Sequence, residues 1–331
     1  MKRKLKIVSL IVILTVIVLL LSGVVYELLS YKNVEENYPP DGVMVKFEER
    51  ELHINVKGEK SNLPPVVIEA GTGNWSYDWS QFQDKLSKHT QVITYDRAGY
   101  GWSDPPSNGF SLDSTTSDLN QILNYAEIET PIILVGHSNG GVYARHFTDK
   151  YPEKVSGLIL VDSRNEFFRE AAPKFNEKFL DAEDQSTNII LSHLGIIRLV
   201  ADNTLKGMPD FISKEKYVQV QYDAPFFKVL DEEIEQIPRS VKKLNNLESL
   251  EDKPLMIITP KNIDAGAEAF GFSEEQSEKI NQKWKESQEK LTSLSKDSEL
   301  INVENSSHAV MYDQPQNLLN AVLSMGKSLV D

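Results

Sequence analysis

Residues 132–141 read Ile-Ile-Leu-Val-Gly-His-Ser-Asn-Gly-Gly, an apolar run that breaks into the pattern Gly-x-Ser-x-Gly around Ser138. A nucleophilic serine must project from a very tight turn between a strand and a helix, and glycines at 136 and 140 remove side chains that would collide across it. The turn also aims the backbone N–H of Asn139 at the place where a tetrahedral oxyanion would form. A short buried strand precedes the pattern and an amphipathic helix follows it, so we interpret Ser138 as a nucleophile.

Three further segments accompany this pattern. A strand ends in the glycine-rich loop Gly71-Thr-Gly73, residues 95–104 read Tyr-Asp-Arg-Ala-Gly-Tyr-Gly-Trp-Ser-Asp after another strand, and Ser307-His308-Ala309 precedes the last predicted helix. In this order the four motifs resemble the α/β-hydrolase superfamily. The chain looks most like the branch of small esterases, non-haem haloperoxidase-like enzymes and proline iminopeptidase-like enzymes, and the resemblance covers about residues 43–331.

Apolar strands alternate with amphipathic helices over residues 66–161, which is typical of a parallel sheet with helices on both faces. The alternating residues 43–56 predict an antiparallel pair before it. The resemblance implies the same architecture, a mostly parallel, doubly wound α/β-hydrolase sheet. After residue 163 the alternation stops, and the strand pattern returns only at residue 253.

These changes of pattern predict the organisation of the domains. Residues 43–163 and 253–331 are expected to form the two parts of the hydrolase core, and the mostly helical, charged residues 164–252 are expected to form a cap inserted over the sheet. Before the core, residues 1–30 read as a membrane segment and residues 31–42 as a polar linker that ends in turn residues.

The membrane segment begins with four basic residues at positions 2, 3, 4 and 6, followed by an uncharged run from Ile7 to Val25. At about 1.5 Å per residue this run nearly spans a hydrocarbon core of about 30 Å. A cleavable signal peptide is the alternative, but no small-x-small cleavage site follows the run. We therefore expect an uncleaved, single-pass signal anchor. The basic flank would hold the N-terminus in the cytoplasm, which predicts that the catalytic part lies outside the cell membrane.

Charge and cysteine content exclude several classes of function. The 331-residue chain has a net charge of −14, and because residues 1–30 carry four basic residues and one acidic residue, the remainder carries −17. So acidic a domain argues against nucleic acid as a partner and against binding anionic lipid through charge. The chain has no cysteine, which excludes disulfides, thiolate metal sites and a cysteine nucleophile.

A serine nucleophile needs a base, and six histidines are available. His137 neighbours Ser138 in sequence, but the elbow is expected to turn its side chain away. The superfamily resemblance implies the order nucleophile, acid, histidine, and His308 alone follows a late strand as that order requires. His308 is therefore the predicted general base.

The acid that orients this histidine has two candidates. In many members of the superfamily it lies in the loop after the strand that follows the cap, where this chain offers Asp264 but lacks the usual glycine and acidic doublet. The other known location is the end of the strand after the elbow helix, where Asp162 stands. We favour Asp162 and keep Asp264 as the alternative. A helix-capping role is possible for either carboxylate.

Further site residues follow from the resemblance. It places a second oxyanion donor in the loop 71–73, in which the backbone N–H of Thr72 would face that of Asn139. Asp96 and Arg97 are expected to pair with each other and hold their loop against the elbow. Trp75 and Trp102 are candidate pocket residues, with ordinary core packing as the alternative.

No cofactor or metal is predicted. The histidines are scattered and no His-x-x-x-His motif or carboxylate cluster accompanies them. The Gly71-x-Gly73 element lacks the third glycine of a dinucleotide fingerprint, which argues against a nicotinamide cofactor.

The sequence thus predicts a membrane-anchored serine hydrolase that acts on a small-molecule ester or similar acyl substrate. An aminopeptidase or amidase acting on small peptide-like substrates is one alternative, because the same triad cleaves amides. A catalytically idle ligand-binding module of the same fold is the other, since the fold alone does not decide function.

Overall fold

The computed structural model describes residues 2–47, 49–182, 184–201, 205, 208–247 and 249–331. Two compact units are present. The smaller unit consists of residues 1–41 and 185–228, and the larger one consists of residues 42–184 and 229–331.

The larger unit contains an eight-stranded sheet. In chain order the strands are β1 Val43–Phe47, β2 Arg50–Lys57, β3 Val66–Glu69, β4 Val92–Tyr95, β5 Ile132–His137, β6 Val155–Val161, β7 Leu255–Pro260 and β8 Ser298–Val303. Their spatial order is β1-β2-β4-β3-β5-β6-β7-β8. β2 pairs antiparallel with both β1 and β4, and all the other pairs are parallel. The predicted fold class, a mostly parallel sheet with an antiparallel pair at its start, is confirmed.

Helices follow most of the strands. In chain order the α-helices are α1 Lys2–Asn37, α2 Ser80–Leu86, α3 Leu112–Tyr125, α4 Gly140–Lys150, α5 Glu166–Ala171, α6 Pro173–Ala182, α7 Ser186–His193, α8 Ile196–Val200, α9 Lys214–Gln221, α10 Ala224–Lys243, α11 Glu274–Lys290, α12 Val310–Asp313 and α13 Pro315–Ser328. Helices α2 and α13 bury apolar residues against one face of the sheet, and α3 and α4 do so against the other. The sheet is therefore doubly wound, and its carboxyl edge is left for the loops that carry the site.

The chain between β6 and β7 supplies helices α5 to α10, and the regular elements in its described part are all helices. The compact units divide this insertion differently from the predicted cap. Residues 164–184 and 229–252 belong to the unit of the sheet, whereas 185–228 form the smaller unit with the N-terminal helix.

Helix α1 is long and apolar enough to cross a membrane, with a mean hydropathy of 3.1 over its most apolar 18 residues. It continues to Asn37, so the first part of the predicted linker 31–42 is helical. The physical reason is that no helix breaker occurs before Pro39 and Pro40, and Val34 is buried within the smaller unit.

Candidate active site

Ser138 lies between β5 and α4 with a φ of +52°, in the left-handed region that a non-glycine residue rarely occupies. Its N–H donates to the carbonyl of Val161 at 3.0 Å, and its own carbonyl accepts from the N–H of Arg164 at 3.0 Å. These bonds to the neighbouring strand hold the turn in its strained conformation.

The glycines of the motif are required by close backbone contacts. A Cβ atom at position 136 would lie 2.7 Å from Cα of Gly141, and one at position 140 would lie 2.3 Å from the carbonyl oxygen of Glu69. Both distances are far below van der Waals contact, so the crossing of strand, turn and helix admits only glycine at these places.

His308 lies in the loop after β8, and its Nδ1 atom is 2.6 Å from Oδ2 of Asp162. The other carboxylate oxygen of Asp162 accepts hydrogen bonds from the Thr259 hydroxyl at 2.8 Å and the Trp284 indole N–H at 2.9 Å. Burial opposes ionisation of Asp162, but the hydrogen bonds from His308, Trp284 and Thr259 outweigh it and lower its pKa. A buried carboxylate that stays ionised can fix the histidine tautomer and stabilise an imidazolium.

Asp264, the alternative acid, is exposed and accepts a hydrogen bond from the N–H of Gly266 at 2.9 Å. It lines the same cavity as Ser138 and His308, but it is Asp162 that pairs with the histidine. The reason is position in the sheet: Asp162 follows β6, which adjoins the elbow strand, whereas Asp264 lies four residues beyond the end of β7.

The two predicted oxyanion donors flank the serine. A Cβ atom on Gly71 would lie 3.2 Å from Cβ of Ser138, so the loop that carries Thr72 passes directly beside the elbow. Within the described residues, neither the N–H of Thr72 nor that of Asn139 donates a hydrogen bond to protein. Two backbone donors next to a serine can hold a developing negative charge.

His137 contacts the backbone and the ring of His308, the predicted base. Its Nε2 atom lies 3.0 Å from the carbonyl oxygen of His308, and the two rings are 4.7 Å apart. Burial lowers the pKa of His137 to about 3, and the neighbouring His308 adds to this effect. His137 is therefore neutral near pH 7, and its ring N–H can donate to the loop that carries His308.

A buried carboxylate, Glu233 of helix α10, was not predicted from the sequence. It is 0% exposed and accepts hydrogen bonds from the Thr72 hydroxyl at 2.6 Å and from the Asn139 amide at 3.2 Å. It also accepts from the hydroxyls of Tyr100, at 2.6 Å, and Tyr143, at 2.8 Å. The side chains of Thr72 and Asn139, the two predicted oxyanion residues, thus both donate hydrogen bonds to the carboxylate of Glu233.

Arg97 compensates this buried charge. Its guanidinium lies 3.3 Å from Glu233 and 3.0 Å from Glu69. Burial opposes ionisation of Glu233, but Arg97 and the hydrogen bonds from the hydroxyls of Thr72, Tyr100 and Tyr143 outweigh it and lower its pKa. For Glu69 burial dominates, and it raises the pKa to about 7.

The expected Asp96–Arg97 pair is wrong, because each side chain has another partner. Asp96 accepts from the His53 ring at 2.9 Å and from the N–H groups of Ser76, at 2.8 Å, and Trp102, at 3.0 Å. Arg97 turns instead to the two glutamates.

The pocket roles considered for Trp75 and Trp102 are also corrected. Trp75 is 1% exposed and packs against Tyr77, with the ring centroids 5.4 Å apart. Neither tryptophan is among the residues that line the cavity beside Ser138. The aromatic side chains that line it are those of Phe175, Phe179 and Trp284.

This cavity has a volume of about 440 Å³. Its polar rim contains Ser138, Thr72, Asn139, Asp162 and His308. Its walls are largely apolar, formed by Phe175, Phe179, Leu230, Ile234, Ile237, Ile263, Ala265 and Trp284. Across the described ranges no group of three or more histidine or acidic side chains could hold a metal ion.

The family model of the α/β hydrolase fold matches residues 64–188. A thermophilic esterase from Thermogutta terrifontis is similar in structure, with a TM-score of 0.61 at 20% identity over 87% of this chain and 99% of that one. An epoxide hydrolase from Bacillus megaterium has a TM-score of 0.61 at 19% identity over 86% of this chain and 99% of that one. Strand order and these similarities define a mostly parallel, doubly wound α/β protein. The chain has the α/β-hydrolase fold, and its residues 64–188 match the family model of that fold.

Curated relatives match only in part. A "Probable transporter" of Hormonema carpetanum is 25% identical over 80% of this chain and 39% of its own length. An uncharacterized protein of Bacillus subtilis is 24% identical over 37% of this chain and 37% of its own length. The chain thus covers well under half of the length of these relatives.

Proposed function

We propose that this protein is a membrane-anchored serine hydrolase that cleaves an ester or related acyl bond through Ser138, His308 and Asp162. The observation that carries the proposal is the 2.6 Å pairing of His308 with the buried, ionised Asp162 beside the cavity that Ser138 also lines. A serine on a strained elbow next to a histidine–carboxylate pair is the arrangement that acyl transfer requires.

In the first half-reaction, Oγ of Ser138 attacks the carbonyl carbon of the substrate, and Nε2 of His308 takes the hydroxyl proton. Asp162 accepts the Nδ1–H of His308 and stabilises the imidazolium. The N–H groups of Thr72 and Asn139 hold the oxyanion of the tetrahedral intermediate. The imidazolium then returns its proton to the leaving alcohol as the carbon–oxygen bond breaks, which leaves the acyl group on Ser138.

In the second half-reaction, His308 takes a proton from a water molecule, and the oxygen of that water attacks the acyl carbon. The same two N–H groups hold the second tetrahedral intermediate. Its collapse returns the proton to Oγ of Ser138 and releases the carboxylic acid, so the enzyme is regenerated without any cofactor.

The elbow serine favours acyl transfer over epoxide opening, although one structural neighbour is an epoxide hydrolase. A serine that opened an epoxide would form an alkyl ether, which water does not readily hydrolyse. An ester of Ser138 has an electrophilic carbonyl that water can attack, and only this intermediate turns over.

The walls of the cavity support an apolar substrate. Eight apolar side chains line a volume of about 440 Å³, together with Ser138, the other predicted site residues and the charged Arg164 and Asp264. Such a site favours one polar reacting group on a small or medium apolar body. A series of p-nitrophenyl esters of graded chain length, with amino-acid amides as the comparison, measures this preference.

Helix α1 supports membrane anchoring by its length and composition, and the basic residues before it favour an extracytoplasmic catalytic domain. Protease added to intact, wall-stripped cells that express the full chain should digest the domain. Protection from protease, or a mature N-terminus beyond residue 25, would contradict this topology.

A fluorophosphonate probe tests the nucleophile directly. The full chain should be labelled, Ser138→Ala should not be, and His308→Ala should be labelled far more slowly. His89→Ala, which removes an exposed histidine at a helix end, should label like the wild type. A wild-type chain that resists the probe, or a folded Ser138→Ala variant with normal ester turnover, would overturn the proposal.

A further inference from the structure

Helix α1 and the turn between α7 and α8 approach each other closely within the smaller unit. A Cβ atom on Gly23 would lie 2.2 Å from the carbonyl oxygen of Leu194, and one on Gly195 would lie 2.8 Å from the carbonyl oxygen of Gly23. Gly195 also has a φ of +65°, which favours glycine. The two backbones are therefore in direct contact, which only a pair of glycines permits.

The position of this contact along α1 determines how deep it would lie in a bilayer that α1 crosses. Gly23 lies two residues before the end of the uncharged run from Ile7 to Val25, which is about 3 Å along a helix axis. A run of this length fills the hydrocarbon core of a bilayer. In a bilayer crossed by α1, the turn at Leu194 and Gly195 would therefore lie at the level where the hydrocarbon ends.

A buried ion pair marks the next turn of α1. Nε of Arg198 donates to Glu27 at 2.8 Å, and the Arg198 side chain is 1% exposed. Its guanidinium also donates to the carbonyl of Gln219 at 2.6 Å. Helix α8 thus contacts the first polar turn after the apolar run, which a bilayer crossed by α1 would place at the depth of the lipid headgroups.

Helices α7 and α8 also expose apolar side chains. Leu199 of α8 is 69% exposed, Val200 is 43% exposed, and Ile190 of α7 is 61% exposed. Among the described residues outside α1, Leu199 and Ile190 are the two most exposed large apolar side chains. A short helix that combines a buried, paired arginine with exposed aliphatic groups is suited to a membrane interface.

We propose that α7 and α8 form a second membrane contact, in which Ile190, Leu199 and Val200 insert into the outer edge of the bilayer beside α1. The proposal rests on α1 crossing a membrane, as stated above, and goes beyond anchoring by a single helix. The occupant is hydrocarbon and not anionic headgroups, because the exposed side chains that would carry the contact are aliphatic and uncharged.

The absence of cysteine makes a direct test possible in the full chain. Single variants Leu199→Cys and Ile190→Cys are labelled with an environment-sensitive fluorophore (NBD) and reconstituted into phosphatidylcholine vesicles. Leu14→Cys, within α1, is the membrane reference. Tyr125→Cys, whose side chain is 50% exposed in the sheet unit, is the matched control for an exposed apolar residue.

The labels at 199 and 190 should show blue-shifted emission and quenching by lipids that carry a nitroxide near the top of the acyl chain. The label at 125 should show neither, and quenching should be equal at low and high salt because the contact is apolar. Quenching at 199 and 190 no greater than at 125 overturns the proposal. A blue shift that rises with the protein-to-lipid ratio but resists lipid quenching identifies a second copy as the occupant and also overturns it.

The outcome is separable from the hydrolase activity. Ester turnover and fluorophosphonate labelling, measured on the same vesicles, report the site and not the depth of the label. The label at Leu14, near the middle of the run 7–25, is tested with lipids that carry a nitroxide deep in the acyl chain. If these lipids do not quench it, α1 does not cross the bilayer, and this proposal fails while the chemistry of Ser138 stands.

Discussion

Nδ1 of His308 lies 2.6 Å from Oδ2 of Asp162, a residue 146 positions earlier in the chain. The carboxylate follows the strand next to the elbow strand, and its second oxygen is held by Thr259 and Trp284. Hydrogen bonds to Thr259, Trp284 and His308 therefore hold the Asp162 carboxylate in the absence of substrate. The fold thus sets the orientation of the His308 ring.

Asp162→Asn should lower kcat by about 10³-fold or more with a small change in KM, because the amide keeps the shape but removes the charge that stabilises imidazolium. Asp264→Asn, the matched change at the alternative acid, should alter kcat by less than about threefold. Initial rates on one ester measure both. The assignment of Asp162 is wrong if Asp264→Asn, and not Asp162→Asn, shows the large loss of kcat.

Glu233→Gln should lower kcat/KM by about tenfold, because the neutral amide holds Thr72 and Asn139 less firmly and leaves Arg97 less well compensated. Glu233 does not line the cavity, so we regard it as a positioning residue. The affinity for a boronic acid that mimics the tetrahedral intermediate should fall in parallel, while KM changes little. Equal kcat/KM values for Glu233→Gln and the wild type would refute this positioning role.

One control separates the effect of Glu233→Gln on activity from a loss of stability, and a pair of Thr72 variants tests its contact with Thr72. Glu166→Gln removes another buried carboxylate, paired with Arg145 at 2.7 and 2.9 Å, that does not line the cavity. It should lower Tm but leave kcat/KM within about twofold. Thr72→Val should resemble Glu233→Gln, and Thr72→Ser, which keeps the hydroxyl, should restore most of the activity.

His137 should contribute a loss of stability to the larger unit in mild acid, and Glu69, whose pKa burial raises to about 7, should contribute an opposing gain. The pKa of His137 is lowered to about 3 in the folded protein, mainly by burial, from the ordinary histidine value of about 6.5. Between these two values the unfolded chain binds a proton that the folded protein does not, so stability present above the unfolded pKa is lost as pH falls. From about pH 7.5 to about pH 5 this loss is about 2 kcal/mol.

Replacement of the ring removes this contribution to the pH dependence. His137→Gln keeps an N–H donor for the His308 carbonyl. Because the opposing contribution of Glu69 is common to both proteins, the change in unfolding free energy from about pH 7.5 to about pH 5 should be more favourable in the variant than in the wild type by about 2 kcal/mol. The exposed His89→Gln should keep the wild-type slope. Denaturant unfolding in detergent at the two pH values measures the difference, and parallel slopes for all three proteins would contradict the assignment.

Gly140→Ala should destroy activity and lower stability by several kcal/mol, because its Cβ would lie 2.3 and 2.5 Å from two backbone oxygens of the β3 end. Gly326→Ala is the matched control within helix α13, where the nearest atom would be 3.6 Å away. It should be neutral or stabilise by up to about 1 kcal/mol, since alanine is the better helix former. Thermal unfolding and ester turnover of both variants test the contrast.

The sequence predicts the parts of the site that depend on local pattern. The elbow, the strands around it and the loop of His308 follow from glycine spacing, apolar runs and chain order, and Asp162 followed from its place after β6. Glu233 could not be predicted in this way because its role depends on distant partners. One signal was present: it occupies a core position of the amphipathic α10, in register with Leu230 and Ile237.

The corrected expectations have the same cause. Asp96 and Arg97 are adjacent in sequence, but the pairing of a buried charge is decided by which groups the sheet brings near it, here His53 for one and Glu69 and Glu233 for the other. Trp75 follows the loop 71–73, which carries a predicted oxyanion donor, but the local sequence does not determine whether its side chain faces the cavity or the core.

Glu233 makes the inserted helices a fixed part of this protein and not an interchangeable module. Its carboxylate comes from the insertion, whereas Thr72, Arg97 and Asn139 come from loops of the sheet. A chimera whose insertion lacks an acid at this register would leave Arg97 with a single carboxylate partner, Glu69, and remove an acceptor from Tyr100 and Tyr143. Attempts to alter substrate range by exchanging the insertion must therefore transplant that acid as well.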